Sequence, residues 1–533
     1  MGIYLNPGNS GFAGIINDEY VDKTGLIELI NNSIETPRRL TCISRPRRFG
    51  KSYAAQMLCA YYDKTCDSSQ LFGKFKISKA GSYLKYLNKY DVIYLDMTNI
   101  IGNVSAESLI SFIEDNIMEE LLRAYPKVKA GNTFDQTLMN VVEYTGNKFV
   151  MIIDEWDAPI REFSKIEKDY LRFLRTLFKS SGTTAKIFAA VYMTGILPIK
   201  KDGSQSAMSD FKEYSVLDPG VFAEYTGFTE DEVKELCVKN DLSFESTKKW
   251  YDGYTLNEYH SIYNPFSVMS AIQNKKFKSY WKKTSAAEAL LTYINMNQDG
   301  LQEDIIKLIS GETIEVDTEG FENDFETFNS KDDVLTLMIH LGYLAYEEVP
   351  DTYEDTEEGE LLTGIARIPN EEVRFEFNKI LRKGQHKKLM QLVRMSDELL
   401  KDTMEGKEEK VAEAIERVRD MEYAPNYYND EQALRYIIKF AYITCVDQYA
   451  KIEEMPSGHG IADVVFIPKR RSQLPAMLIE LKWNQTSEGA IAQIKDRNYP
   501  AVLKNYGGDI ILAGINYNEK TKKHTCKIEK LYT

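Results

Sequence analysis

The chain has 533 residues, 43% of them hydrophobic and 28% charged, with a formal net charge of -15. At roughly 100–200 residues per domain, this length exceeds one hydrophobic core and calls for several folding units. The acidic balance excludes a protein whose whole surface grips nucleic acid, because phosphate binding is chiefly the work of Lys and Arg, but it leaves room for a local basic groove. Arg45 to Lys51, Arg382 to Lys388 and Lys469 to Arg471 are the basic clusters, and each taken alone reads first as a solvated charged face.

No stretch reaches the roughly 18 uninterrupted apolar residues of a spanning helix, and Met1 is not followed by a basic-then-apolar leader, so the expected setting is cytoplasmic and without a membrane. Cys42, Cys59, Cys66, Cys237, Cys445 and Cys526 are scattered without metal-type spacing and read as reduced thiols.

In chain order, residues 39–200 alternate short apolar runs with amphipathic stretches, the pattern of a parallel sheet with crossover helices. Leu40 to Ser44 is a predicted strand, Ser52 to Tyr62 a helix, and Val92 to Leu95, Phe149 to Ile153 and Lys186 to Met193 further strands. From 216 to 300 the text becomes helical, with a capped helix start predicted at Thr229 from the Thr-x-x-Glu pattern. Residues 331–370 predict a helix (Asp332 to His340) and a hairpin (Tyr343 to Val349, Leu361 to Ile368) with an acidic tip from Asp351 to Glu360. That is a winged-helix-like module whose tip repels phosphate and suits packing against protein. A charged helical stretch, Glu371 to Met421, follows. The tail predicts a helix (Asp430 to Tyr442), strands at Ala450 to Glu454, Ala462 to Ile467 and Ala476 to Leu481, a helix (Ser487 to Tyr499) and a strand (Asp509 to Ile515).

The first candidate site is Arg45-Pro-Arg-Arg-Phe-Gly50-Lys51-Ser52, between a predicted strand and a predicted helix. There, backbone N–H groups and the helix N-terminus can face an anion. Arg47, Arg48, Phe49 and Gly50 would form the loop, Lys51 would meet the β- and γ-phosphates, and Ser52 would hold magnesium. The strict pattern places glycine where Arg45 stands. The second element is the apolar strand ending in Asp154-Glu155: Asp154 is the magnesium-side carboxylate and Glu155 the base for the attacking water. An acidic pair after a strand can also merely cap a turn. Thr194, ending the next strand, is a γ-phosphate sensor candidate, and Arg47, Arg48 and Arg161 are candidates for the charge-stabilising arginine.

The second candidate site is Gly460-Ile-Ala-Asp463 followed by Ile479-Glu-Leu-Lys482. Alternate residues of a strand share a face, so Glu480 and Lys482 point one way, and a hairpin can bring Asp463 beside them. Two carboxylates holding Mg²⁺ or Mn²⁺ beside an ammonium suit phosphodiester hydrolysis. Glu431 is a further ligand candidate, as is Glu454, and Gln493 and Tyr499 are accessory candidates. A bare Asp…Glu-x-Lys is also common on surface strands.

Together with Val21-Asp-Lys-Thr24, Asp154-Glu-Trp-Asp157, Tyr251-Asp-Gly-Tyr254 and Tyr263-Asn-Pro-Phe266, the arginine-rich loop resembles the bacterial AAA-ATPase-like family, in which arginines stand in place of the loop glycines. The tail, Gly458 to Val464 with Ile479 to Lys482 and Ala490 to Ile494, is similar to the PD-(D/E)XK nuclease domain fused to those ATPases. Such tails often carry a basic residue where His459 or Ile461 stands, and the Gln493 to Tyr499 spacing exceeds the Gln-x-x-x-Tyr of helicase-associated nucleases. The resemblance implies an α/β multidomain protein: a P-loop ATPase domain over residues 1–215, a helical lid over 216–300, a winged-helix-like and helical linker region over 301–420 and a restriction-endonuclease-like core over 421–533. It implies ATP and Mg²⁺ or Mn²⁺ as cofactors, nucleic acid as partner with DNA ahead of RNA, and a role in defence or mobile-element control. Assembly of further copies is left open, as is a signalling or scaffold NTPase whose nuclease-like domain binds without cutting.

Overall fold

The computed structural model describes every residue except 1, 180, 200, 203–204, 207, 209, 282–299, 320, 322–329, 349–362, 384–386, 423–427, 429, 443–448, 458–459, 469–473, 498–502, 504–507 and 532–533. The chain forms two compact units, Met1–Ala286 with Glu315–Val373 and Ala287–Ile314 with Arg374–Thr533.

In the first unit Leu40–Ser44 (β1), Asp91–Asp96 (β2), Phe149–Asp154 (β3), Phe188–Gly195 (β4) and Lys212–Tyr214 (β5) form one all-parallel sheet in the order β2-β3-β4-β1-β5. Every residue of β3 and β4 is buried, as strands covered by helices on both faces must be. The helix Lys51–Tyr62 (α1) follows β1 directly, so the loop between them opens at the carboxyl ends of the strands, where ligands of such sheets bind. The predicted strand from Lys186 starts two residues late: Ser181–Ile187 is helical, and β4 runs on to Gly195. Lys186 lacks the apolar character of the run behind it, and the strand edge follows that run.

The helix Glu230–Lys239 (α2) opens with the expected capping box, Thr229 accepting from the Glu232 N–H and Glu232 accepting from the Thr229 N–H. Ile314–Asp317 (β6), Ala345–Glu348 (β7) and Thr363–Arg367 (β8) make a three-stranded sheet in the order β6-β8-β7, and Lys331–Leu341 (α3) precedes the β7/β8 hairpin. The acidic tip predicted between the two hairpin strands lies outside the described residues. The charged stretch from Glu371 is three helices, Glu371–Lys383 (α4), Lys387–Glu405 (α5) and Glu408–Glu422 (α6).

In the second unit Tyr449–Ser457 (β9), Gly460–Pro468 (β10), Ala476–Trp483 (β11), Ile510–Asn518 (β12) and Lys523–Leu531 (β13) lie in chain order in one sheet. Among the described residues of this sheet only β11 and β12 pair in parallel, and the helix Ser487–Asp496 (α8) lies between them in the chain. Glu431–Ala441 (α7) contributes Leu434, Ile437 and Ile438 to the core under the sheet. The final strand is absent from the sequence-based expectation. His524, Cys526 and Ile528 alternate inward between lysines and a threonine, which is the half-buried pattern of an edge strand.

Candidate active sites

The loop after β1 is shaped by left-handed residues. Arg48 has φ +72° and Gly50 φ +86°, so the chain reverses just before α1 and Gly50 becomes its N-cap. Arg45, standing at the position of the missing glycine, turns away from the loop. It is fully buried, with Nε donating to Thr226 Oγ1 (2.9 Å) and Nη1 to the carbonyls of Ser44, Tyr214 and Ser215. Burial pulls its pKa down to about 10. A long side chain is tolerated there because it is spent on tying β1 to the segment after β5.

Lys51 is 4% exposed, and its Nζ donates to the Arg45 and Pro46 carbonyls at 3.0 Å each and lies 3.4 Å from Glu155 Oε1. Glu155, in the left-handed region at φ +56°, also receives Arg161 Nη2 at 2.8 Å. Arg161 is steadied in turn by Asp157, which accepts the N–H groups of Ile196 and Leu197. Burial works to raise the Glu155 carboxyl, but Lys51, Arg161 and Arg47 outweigh it and hold it below the usual range. Asp154 is buried; burial raises its pKa against hydrogen bonds from Ser52 and Thr194. Thr194 Oγ1 donates to Asp154 and accepts the Glu155 N–H, which fixes both carboxylates at the strand end.

The arginine and aromatic candidates divide. Arg48 donates to the Tyr280 carbonyl at 2.6 Å and lies 4.3 Å over the Phe266 ring, and Phe49 is buried edge-on against Tyr254. Both anchor the loop to later parts of the unit. Arg47 lines the cavity on the Asp154 side of the loop, about 620 Å³, together with Arg161. A second cavity of about 390 Å³ is lined by Lys51 and walled by Tyr20, Val21, Met57, Phe228, Phe266 and Met269. The donor set fits a phosphate with a hard cation: a buried lysine, a hydroxyl in contact with a buried carboxylate, and a helix N-terminus.

In the second unit β10 and β11 pair antiparallel with Val464 opposite Ile479, which sets Asp463 across from Glu480. Asp463 Oδ2 accepts the Leu481 N–H at 2.8 Å. Glu480 Oε1 accepts from Lys482 Nζ at 3.1 Å and from Gln493 Nε2 on α8. Among the described residues no hydrogen-bond partner meets Glu480 Oε2, which is buried. Burial, and after it the charge of Asp463, pushes the Glu480 carboxyl up to about 7 against the pull of Lys482. A buried carboxylate oxygen with no donor is costly, and a hard divalent ion is the partner whose chemistry suits a pair of carboxylates.

Asp463, Glu480, Lys482 and Gln493 are therefore brought together. Glu431 is not: it stands in the first turn of α7, and among the described residues no three His, Cys, Asp or Glu side chains form a group able to hold a metal. The glutamate is one helical turn from the residue that does reach the site. Arg435, missed in the sequence, places Nη2 2.7 Å from Asp463 Oδ1. Glu454 belongs to β9, but its side chain lies outside the described residues, as does Tyr499 altogether.

The two sites thus define a P-loop NTPase-type domain and a PD-(D/E)XK-type domain on one chain. Residues 8–204 match the model of the predicted AAA-ATPase family, and residues 436–527 match the PD-(D/E)XK nuclease superfamily. A curated relative, an uncharacterized protein in the vnfD 5′ region of Azotobacter chroococcum mcd 1, is 25% identical over 285 residues, 51% of this chain; the match spans about half, 52%, of that protein's length. Among solved structures, the Aeropyrum pernix ORC2 protein in its ADPNP-ADP complexes is 10% identical, covering 68% of this chain and 96% of its own, with a TM-score of 0.29. The Aeropyrum pernix ORC1 protein in complex with DNA is 9% identical over 69% of this chain and 94% of its own, with a TM-score of 0.26. Among the described residues no helix is long and apolar enough to cross a membrane.

Proposed function

We propose that the chain binds and hydrolyses ATP in its first unit and cleaves nucleic-acid phosphodiesters, DNA ahead of RNA, in its second. The observation that carries the second activity is Glu480, opposite Asp463 across the β10/β11 pair, whose buried Oε2 has no hydrogen-bond partner among the described residues while Lys482 and Gln493 hold the other oxygen. A divalent ion bound there would supply charge neutralisation and a lowered water pKa. Asp463 and Glu480 would hold it, Lys482 would stand beside the developing charge, and Gln493 would keep Glu480 aimed.

In the first unit Lys51 would leave its two carbonyls for phosphate, and Ser52 with Asp154 would hold magnesium. Glu155, released from Lys51, would take the proton of the attacking water, and Thr194 keeps the pair aligned. The apolar cavity beside Lys51 is suited to the base and ribose, with Gly50 and the N-terminus of α1 left for the phosphates. The division into an ATPase domain (1–215), lid (216–300), winged-helix-like linker (301–420) and nuclease core (421–533) is part of this reading, as is a role in defence or mobile-element control.

A scaffold that binds without cutting would have no use for a buried Glu-x-Lys pair. The test is incubation of the purified chain with linear, circular and single-stranded DNA and with RNA, with Mg²⁺ or Mn²⁺, with and without ATP. Cleavage that needs the metal is the expected result; intact substrates under every condition would leave only the scaffold.

A further inference from the structure

The acidic pair of the second unit has four carboxylate oxygens, and their partners differ. Asp463 Oδ2 is taken by the Leu481 N–H, and Glu480 Oε1 by Lys482 and Gln493. Asp463 Oδ1 and Glu480 Oε2 remain for a cation. Glu480 Oε2 is buried and, among the described residues, has no hydrogen-bond partner, but Asp463 Oδ1 already holds one cation, the Arg435 guanidinium at 2.7 Å.

Both partners of that contact are well covered, with 14% and 12% of their side-chain surface exposed, so the charges are poorly screened and the pair is held closely. A divalent ion ligated by the same oxygen at roughly 2.0–2.6 Å would come within a few ångströms of the guanidinium, in surroundings where like charges repel strongly. The two cations exclude each other at Asp463. Arg435 is fixed by its backbone in the second turn of α7, so a guanidinium displaced from Asp463 stays near the carboxylate pair. The anion due there is a phosphate of the substrate, and the planar fork of arginine matches two phosphate oxygens as it matches a carboxylate.

We propose that Arg435 is a phosphate-binding residue kept in reserve: it neutralises Asp463 while the site is metal-free and passes to a phosphate of the nucleic acid when a divalent ion takes the carboxylate. This rests on the nuclease reading of the site. A residue that only oriented Asp463 would help the metal to bind, whereas a reserve cation competes with it, so the two roles predict opposite signs.

Mn²⁺ binding to the full chain is measured without nucleotide or nucleic acid, by loss of the free-ion paramagnetic resonance signal, with Glu480→Gln as the blank for this site. Binding of fluorescein-labelled duplex DNA is then measured in Ca²⁺ over a salt series, and melting temperatures check folding. Arg435→Gln is expected to bind Mn²⁺ about fivefold more tightly, since a competing charge is gone. It should bind DNA about tenfold more weakly, with the salt slope reduced by about one. Arg435→Lys keeps a competing charge without the fork and should bind Mn²⁺ like the wild type and DNA at an intermediate strength. Mn²⁺ affinity that does not rise in Arg435→Gln, or DNA affinity that does not fall, overturns the hand-over. If wild type and Glu480→Gln take up Mn²⁺ equally, the metal reading of the site fails first and this inference goes with it.

Discussion

Lys51 is held by two backbone carbonyls and a carboxylate, none of which is as strong a partner as a phosphate dianion, and Glu155 is held by Lys51 and Arg161. The two residues therefore do separable work. Lys51→Ala should weaken ATP binding by about 10- to 100-fold, the worth of one charge-assisted hydrogen bond. Glu155→Gln should bind ATP as the wild type does and hydrolyse it about 10²- to 10⁴-fold more slowly, the usual share of a general base. Equilibrium binding of a fluorescent ATP analogue beside single-turnover hydrolysis checks both, and undiminished turnover in Glu155→Gln would remove that residue from catalysis. In the other unit, Asp463→Ala and Glu480→Ala should each abolish cleavage while ATPase rates stay within about twofold, because the substituted side chains belong to a different compact unit from Lys51 and Glu155. Metal-dependent cutting that survives both substitutions would move the metal site elsewhere. The residue scale is also where sequence reading ran out. The placement of Asp154 and Glu155 at the end of an apolar strand, and of Asp463 beside Glu480 and Lys482, was legible from strand alternation and spacing. That Arg45 is buried and that Arg435 meets Asp463 were not, since which of two possible partners a long cationic side chain reaches is settled by tertiary packing.

Elements hold these residues only if they sit close enough, and two of them make specific demands. A Cβ at Gly514 on β12 would stand 2.4 Å from the Ser487 carbonyl at the start of α8, closer than backbone can yield cheaply. Gly514→Ala should push α8 off the sheet, lower the stability of the second unit by about 1–3 kcal/mol as overpacking does, and loosen the hold of Gln493 on Glu480. Denaturant unfolding together with Mn²⁺ affinity measures both effects, and an alanine variant with unchanged values would show that α8 has slack. In the first unit α3 is buried from Val334 to Leu341, and this includes His340, whose pKa burial, with the nearby Arg45 charge second, depresses from 6.5 to about 3. A folded pKa below the unfolded one means that the unfolded chain takes up the proton first. The contribution of the neutral ring is therefore intact above pH 6.5 and is lost progressively as pH falls from there towards 3. At pH 5 the loss is about 2 kcal/mol, and His340→Leu should remove that part of the slope from a plot of unfolding free energy against pH. Elements with continuous apolar runs, such as β3 and β4, were readable in advance because burial on both faces leaves one pattern. The lysine-rich edge strand β13 was not, since its alternation is also that of an exposed segment.

At the scale of the whole chain, two compact units share one polypeptide, and the groups proposed for ATP and for phosphodiester chemistry belong to different ones. Nucleotide can influence cutting only if it binds one arrangement of the protein more tightly than another; by linkage, nucleic acid then alters nucleotide affinity by the same factor. An unrestrained nuclease endangers the cell that makes it, which favours an arrangement in which ATP binding licenses cleavage and hydrolysis withdraws the licence. Lys51 and Glu155 are the residues proposed for the two halves of that cycle. In the proposed reading Lys51 would exchange the Arg45 and Pro46 carbonyls for phosphate, which would make the loop that carries Arg48 and its bond to Tyr280 sensitive to the bound state. Glu155, as the proposed base, would end that state by hydrolysis. Lys51→Ala should therefore cleave slowly at every ATP concentration although Asp463 and Glu480 are untouched. Glu155→Gln, arrested with ATP bound, should cleave at least as fast as the wild type at saturating ATP and should not slow as ATP is consumed. A coupling of 1–3 kcal/mol, usual for linked sites, corresponds to about 5- to 150-fold between the two variants. Initial cleavage rates for wild type, Lys51→Ala and Glu155→Gln across an ATP titration measure it, and three superimposable, ATP-independent curves would mean that the two activities share a chain without sharing a free energy.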